Sequence, residues 1–169
     1  MADRAAPRPR VLILMGVSGS GKTTIGRRLA AELGWPFYDA DDYHSAGNIE
    51  RLRQGVALTD GDRAEWLDAL HGLVHSILTS GGSAVLACSA LRQAHRDRLL
   101  RDNAGAEVIY LRGDYELIRD RLEQRHRHFM NPALLRSQFE TLEEPQGVVT
   151  VDIDATPDEI VTSIRTQLP

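Results

Sequence analysis

Short, mostly apolar runs alternate with amphipathic stretches along the chain, and this alternation predicts its secondary structure. Five runs have the length and composition of buried strands. They cover residues 10–15, 36–41, 83–88, 106–112 and 148–153. Between them apolar residues recur at helical spacing, most clearly at Trp66, Leu70 and Val74 within 58–78. The other predicted helices follow the first strand up to Gly34 and cover 92–102, 114–125, 133–141 and 156–168.

Strands that alternate with helices predict an α/β fold, in which a five-stranded parallel sheet carries helices on both faces. Local signals mark several boundaries: Gly34 is typical of a helix end, and Thr59 and Thr156 are typical N-caps. With 169 residues and no repeat or linker, the chain is expected to form a single domain. We expect residues 1–9 to be a flexible tail. Residues 124–133 are polar and basic and include a proline, so we expect a mobile lid there.

Composition narrows the possible partners and location. The formal net charge is -4, which argues against nucleic acid as a main partner. Cys88 is the single cysteine, so no intrachain disulfide can form and a reducing compartment is expected. The longest apolar run near the start, 11–15, is far too short to cross a membrane, and no secretory leader is recognisable. These features predict a cytoplasmic protein that does not bind membranes.

The segment between the first strand and the first helix, GVSGSGKT, matches the phosphate-binding pattern G-x-x-x-x-G-K-[ST] in full. Glycines let the backbone wrap closely around phosphate, and successive N–H groups with the helix N-terminus supply positive charge. Lys22 is the only lysine in the sequence. A compact ammonium on a flexible stem suits this loop better than a planar guanidinium. The predicted ATP-binding residues are Gly16, Val17, Ser18, Gly19, Ser20, Gly21, Lys22, Thr23 and Thr24.

A second substrate is expected at the carboxyl ends of the strands, where parallel sheets place their sites. The second strand is followed by DADDYH. Asp39, together with the Thr23 hydroxyl, is predicted to hold Mg²⁺. Asp41 is predicted to accept a proton from an attacking hydroxyl, and the two carboxylates share a side if the strand persists. The alternative is a solvated acidic turn that caps the next helix.

Arginines supply the remaining candidate chemistry. Arg63 lies in the first turn of its helix, where a cation is unfavourable, so a function as a clamp for a substrate carboxylate would explain it. The alternative is a surface arginine paired with a nearby aspartate. After the third strand, Ser89 and Arg92 could bind substrate, whereas Cys88 is interpreted as a small buried residue.

Further basic residues cluster from 121 to 129. Arg121 and Arg125 are predicted to neutralise charge on the transferred phosphoryl group. The alternative is a solvated basic surface. His126 and His128 have no Cys or carboxylate at ligand spacing beside them. His71 and His75 have a spacing that can bind zinc, but their helix is otherwise packed with Leu and Val, so no metal role is predicted for either pair.

The sequence resembles the small gluconokinases that carry this phosphate loop. The resemblance covers about residues 11–154 and rests on the motifs GVSGSGKT, FYDADDYH, NIERLRQGVALTDGDRAEWL, CSALRQAHRD, RHFM and LLRSQFETLEEP. It implies ATP-dependent phosphorylation of D-gluconate to 6-phospho-D-gluconate, which feeds the pentose phosphate pathway. It also implies a nucleoside-monophosphate-kinase-like fold with strand order 2-3-1-4-5, a lid and a homodimer. The sugar-acid contacts it implies are Asp41, His44, Arg63, Ser89, Arg92 and His128.

The chain departs from the family pattern at four positions. Ser45 stands in place of proline, Arg92 of lysine, His95 of tyrosine and Arg127 of glycine. Two rival functions remain open. A shikimate kinase or nucleoside monophosphate kinase is one, although a shikimate kinase is expected to carry a glycine triplet where this chain has CSAL. A non-catalytic nucleotide-dependent switch is the other, although it would not need an acidic pair beside an arginine.

Overall fold

The computed structural model describes residues 8–125 and 132–169. Its strands are β1 (Val11–Met15), β2 (Phe37–Asp39), β3 (Ala84–Ala87), β4 (Ala106–Arg112) and β5 (Val149–Asp152). Its helices are α1 (Lys22–Leu33), α2 (Ala46–Arg53), α3 (Asp60–Thr79), α4 (Gln93–Leu100), α5 (Tyr115–Gln124), α6 (Pro132–Thr141) and α7 (Pro157–Gln167).

The five strands form one parallel sheet in the order β2-β3-β1-β4-β5, which confirms the predicted fold and strand order. Central strand β1 pairs with β3 on one side and β4 on the other, with Leu14 opposite both Ala87 and Ile109. All five β1 residues are fully buried. This burial explains the continuous apolar run, because a central parallel strand is covered on both faces.

The side chains of β1 alternate between two hydrophobic clusters. Leu12 and Leu14 pack with residues of α1 and α7 on one face of the sheet. Val11, Ile13 and Met15 pack on the other face, where the α3 stripe of Trp66, Leu67, Leu70 and Val74 covers them. Burying one such side chain contributes about 1.5–3 kcal/mol. The predicted stripe on α3 therefore covers the sheet and fixes the helix start beside the strand ends.

The predicted helix signals at three positions are confirmed. Gly34 ends α1 at φ +69°, in the left-handed region. Thr59 and Thr156 each accept from the N–H of the residue three positions later, and Asp62 and Glu159 complete the two capping boxes.

The region after β2 differs from the prediction. The strand ends at Asp39, not at 41, because the Asp39 carboxylate accepts the N–H of Asp41 and starts a 3-10 turn, Ala40–Tyr43. Asp39 and Asp41 therefore do not share one side of a strand. Helix α2, which the pattern did not predict, comes next. None of its residues is fully buried, which explains why its sequence carries no apolar stripe. Ser45 caps the helix, because its side-chain hydroxyl accepts the Asn48 N–H.

Among the described residues, no helix combines the length and apolar character that crossing a bilayer would need. The predicted tail, apart from residues 8 and 9, lies outside the described residues, as does the central part of the predicted lid, 126–131, with His126 and His128.

Candidate active site

The loop between β1 and α1 has the close backbone packing that its glycines predict. A Cβ atom on Gly16 would lie 2.6 Å from Ser20 Oγ and 2.9 Å from the Leu111 carbonyl oxygen. Gly21, at φ +94°, is the residue before the first turn of α1, and side chains rarely tolerate that backbone conformation. The loop therefore presents the N-terminus of α1 to the carboxyl edge of the sheet.

Lys22 folds back onto its own loop. Its Nζ donates to the Val17 carbonyl oxygen at 3.0 Å. Burial lowers the pKa of Lys22, while the nearby Asp41, Cys88 and Asp39 oppose that shift. The Ser20 Oγ in the same loop is buried and has no hydrogen-bond partner in the described part of the chain. A bound anion would give the Ser20 hydroxyl a hydrogen-bond partner and the Lys22 ammonium an opposite charge.

Thr23, at the start of α1, is joined to Asp39 at the end of β2. Thr23 Oγ1 donates to Asp39 Oδ2 at 2.9 Å, and Asp39 Oδ1 accepts the Asp41 N–H at 3.0 Å. A hydroxyl and a carboxylate are oxygen ligands of the kind Mg²⁺ takes beside substrate phosphates. The donor set thus fits the predicted metal role of these two residues.

Asp41 interacts electrostatically with both Asp39 and Lys22. Partial desolvation of its carboxylate raises its pKa, and Asp39 adds to the rise, while Lys22 and His44 oppose it. Asp41 as a whole residue is exposed, so a substrate can reach its carboxylate from solvent. A carboxylate with a raised pKa is a better proton acceptor than an ordinary one.

His44 and Trp66 hold the acidic turn in place. Their rings stack with centroids 4.3 Å apart and an angle of 13° between planes. Trp66 Nε1 donates to the Ala40 carbonyl oxygen at 2.7 Å, which joins α3 to the 3-10 turn. His44 Nδ1 is buried and lacks a partner within the described ranges. Burial lowers the pKa of His44, so its imidazole stays neutral more readily.

Two arginines and a histidine converge on Asp60, the first residue of α3. Its carboxylate lies 3.8 Å from Arg63 Nη1, 3.3 Å from Arg92 Nη1 and 3.6 Å from His95 Nε2. The Arg63 side chain is only 20% exposed, and desolvation lowers its pKa. Arg63 is therefore paired with an aspartate, as the alternative interpretation expected, but it is not a simple surface arginine.

The loop after β3 carries Ser89 three positions before Arg92, and hydrogen bonds from Arg96 anchor it. Cys88 is 1% exposed, and burial raises its pKa to about 12, so the expectation of a small buried residue is confirmed. Arg96 is 2% exposed and donates to the carbonyl oxygens of Ala90 and Leu91. Its anchoring role was missed, since Arg96 is one of many arginines in the sequence.

Arg121 and Arg125 lie beside the phosphate loop but line a cleft that does not include the acidic turn. Arg121 Nη2 donates to the Ile153 carbonyl oxygen at 2.6 Å. Both arginines line a cleft of about 390 Å³ that also includes loop residues and the start of α7. The other residues lining it are Ser20, Gly21, Thr24, Ile25, Gln124, Ala155, Pro157 and Ile160. The sequence pattern had not indicated this cleft.

A larger cleft of about 580 Å³ lies between the ends of β4 and β5 and helices α5 and α6. It shares no residue with the phosphate loop. His71 and His75 are also remote from the phosphate loop in their contacts: their ring nitrogens bond to the Arg101 carbonyl oxygen and to Asn103 Oδ1.

The chain is similar to known kinases over most of its length. The family model for shikimate kinase matches residues 18–168. A probable gluconokinase from Mus musculus is 43% identical over 180 residues, covering 95% of this chain and 98% of that protein. The thermosensitive gluconokinase of Escherichia coli K12 is 44% identical over 146 residues, covering 84% and 78%. The crystal structure of a gluconokinase from Sinorhizobium meliloti 1021 superposes with a TM-score of 0.84 at 38% identity, covering 92% and 89%.

Proposed function

The chain belongs to the gluconokinase family within the wider shikimate kinase family, and on that premise we propose how its residues carry out the reaction. The protein is a kinase that transfers the terminal phosphoryl group of ATP to a hydroxyl of D-gluconate and releases 6-phospho-D-gluconate and ADP. The relatives named gluconokinases, at about 40% identity over most of the chain, support the sugar acid over shikimate.

One observation carries the assignment of roles: neighbouring titratable side chains lead from the phosphate loop to the arginines of the proposed substrate site. Lys22 interacts electrostatically with Asp41, Asp41 with His44, and His44 with Arg63. A phosphoryl donor held at one end and an anionic alcohol held at the other would meet beside Asp41. This order is the one that phosphoryl transfer requires.

The triphosphate binds to the loop Gly16–Thr23. The Lys22 ammonium exchanges its bond to the Val17 carbonyl oxygen for phosphate oxygens, and the N-terminus of α1 adds its dipole. Thr23 and Asp39 would hold Mg²⁺, which supplies charge neutralisation at the phosphates. The adenine base occupies the cleft between Arg125 and the Ala155–Pro157 turn. Arg121 and Arg125 line this cleft together with Ser20 and Gly21 of the phosphate loop, and they offset charge on the phosphates.

Gluconate binds on the opposite side of the loop. Arg63 and Arg92 bind its carboxylate, and His44 and Ser89 contact its hydroxyls. Asp41 takes the proton of the attacking hydroxyl, whose oxygen forms a bond to the γ-phosphorus. The bond between that phosphorus and the bridging oxygen breaks, and ADP carries the electron pair away. His128, which lies outside the described residues, is proposed as a further substrate contact. We also propose a cytoplasmic homodimer.

A coupled assay of ADP release over a panel of acceptors tests the function. With ATP and Mg²⁺ present, D-gluconate should support turnover at least 100-fold above shikimate, other sugar acids and nucleoside monophosphates. Equal or greater turnover with shikimate or a nucleotide would overturn the substrate assignment. Nucleotide binding without turnover on any acceptor would favour the non-catalytic switch. Light scattering on the same preparation tests the dimer.

A further inference from the structure

Gln138 on α6 makes two hydrogen bonds to Ser18, a residue of the phosphate loop 120 positions earlier in the chain. Its Oε1 accepts the Ser18 N–H at 2.7 Å, and its Nε2 donates to Ser18 Oγ at 3.0 Å. The side-chain amide thus pairs with both polar groups that Ser18 offers on this side. Gln138 belongs to the motif SQFETLEEP, which none of the roles above uses.

The helix that carries Gln138 is fixed to the protein core and to the loop after β3. Leu134 and Leu135 of α6 are buried. Just beyond the helix, Glu143 N–H donates to the Leu91 carbonyl oxygen at 2.8 Å, and the Glu143 carboxylate accepts Gln93 N–H at 2.6 Å. The buried Arg96 adds a bond to the Glu143 carbonyl oxygen at 2.8 Å. Gln138 therefore extends from an anchored element.

Ser18 needs such a support because its neighbour in the chain is a glycine. Gly19 has φ +83° and no side chain, so the peptide between Ser18 and Gly19 has little steric restriction of its own. A loop whose N–H groups must converge on phosphate gains affinity when its shape is set before binding. Because Gln138 already satisfies the Ser18 N–H, that group shapes the loop and leaves phosphate binding to the N–H groups after it.

We propose that Gln138 is a positioning residue that holds Ser18 and so sets the phosphate loop in its nucleotide-binding shape. This inference rests on the proposed function only in assuming that the loop binds ATP. It predicts that losing the amide weakens nucleotide binding and leaves the sugar-acid site intact.

The test replaces Gln138 by methionine, which keeps the length of the side chain and removes both hydrogen bonds. Affinity for a fluorescent ATP analogue is measured in the absence of gluconate. The kcat value, KM for ATP and KM for gluconate are then measured in steady-state assays with ATP and gluconate. Gln138→Met should weaken analogue binding and raise KM for ATP about tenfold, with KM for gluconate within twofold. The matched control is Glu140→Gln, an exposed position on the same helix, which should leave all values within twofold.

Ser18→Ala provides a second arm if Gln138→Met folds poorly. It removes only the Oγ partner, so it should weaken analogue binding less than Gln138→Met and add little in the double variant. Analogue affinity within twofold of the wild type in Gln138→Met, or full additivity in the double variant, would overturn the proposal. So would an equal rise in both KM values. If the wild type binds the analogue but does not phosphorylate gluconate, the proposed function fails while the binding test of Gln138 still stands.

Discussion

Thr23 and Asp39 are joined by a hydrogen bond of 2.9 Å, although β3 separates β2, which ends at Asp39, from β1, the strand that precedes Thr23. Thr23 is the second residue of α1, and Asp39 is the last residue of β2. Both lie where the carboxyl ends of parallel strands meet. The bond therefore links the phosphate loop to the acidic turn.

The first prediction concerns this pair. Asp39→Asn keeps the shape of the side chain and removes its negative charge, so it should weaken Mg²⁺ binding by the ATP complex. We expect the Mg²⁺ concentration that gives half-maximal activity to rise about tenfold or more, in line with ~1.4 kcal/mol for a lost charged contact. The measurement is a Mg²⁺ titration at saturating ATP and gluconate. An unchanged midpoint would remove Asp39 from the metal site.

Lys22 provides the second prediction. Lys22→Met removes the charge, and Lys22→Arg keeps it on a larger planar group, which suits this loop less well than a compact ammonium. Both variants should lose about 10²- to 10³-fold in kcat, the scale for losing one preorganised donor. Arg27→Lys, on the exposed face of α1, is the control and should retain wild-type turnover. Near-normal activity in Lys22→Met would contradict the phosphate-loop assignment.

The third prediction uses the neighbouring carboxylates Asp41 and Asp42. Asp41→Asn should lower kcat about 10²- to 10⁴-fold, because a positioned proton acceptor is lost. The exposed Asp42 serves as a matched control, and Asp42→Asn should change kcat less than threefold.

The pH profile gives an independent readout for Asp41. Desolvation of its carboxylate raises its pKa, and only the deprotonated form accepts a proton. Activity should therefore decline as the pH falls through this raised pKa, above the range of an ordinary carboxyl group. The residual activity of Asp41→Asn should lack that acid limb. If the limb persists unchanged in the variant, another group is the base.

Arg63 gives the fourth prediction. Arg63→Lys keeps a positive charge and loses the two-pronged contact with a carboxylate. KM for gluconate should rise about 30-fold or more, equivalent to ~2 kcal/mol, with KM for ATP within twofold. The control is Arg53→Lys, at an exposed position on α2, which should leave both KM values unchanged. A parallel rise in KM for ATP would show that Arg63 supports the fold more than the substrate.

The fifth prediction concerns stability in acid. Burial lowers the pKa of His44 in the folded protein, so the unfolded chain binds this proton more readily. The stability that His44 contributes is present above its unfolded pKa of about 6.5 and is lost as the pH falls through the lower folded value. His44→Phe retains a ring against Trp66 and cannot be protonated. Urea unfolding at pH 7.5 and 5.0 should show a smaller acid loss of unfolding free energy in His44→Phe than in the wild type, and an equal loss would contradict this.

Much of this fold was predictable because its signals are local. The Trp66, Leu70 and Val74 stripe, the Gly34 end and the two threonine capping boxes each lie within one or two helical turns. The phosphate loop was predictable for the same reason, since its whole pattern fits into eight consecutive residues. Helix α2 was missed because its residues contact the core too little to carry an apolar period.

The amino-acid order alone therefore determined the element sequence, the phosphate loop and the set of candidate residues after each strand. Tertiary structure decided which of them meet: Thr23 with Asp39, Gln138 with Ser18, and Asp60 with Arg63, Arg92 and His95. These partners are 3 to 120 positions apart, and most are too distant for any helical or strand period to link them. The distances between these partners depend on the order of the strands in the sheet and on buried side chains such as Arg96, which hold the loops. Both depend on close packing throughout the protein, and a short stretch of sequence does not specify that packing.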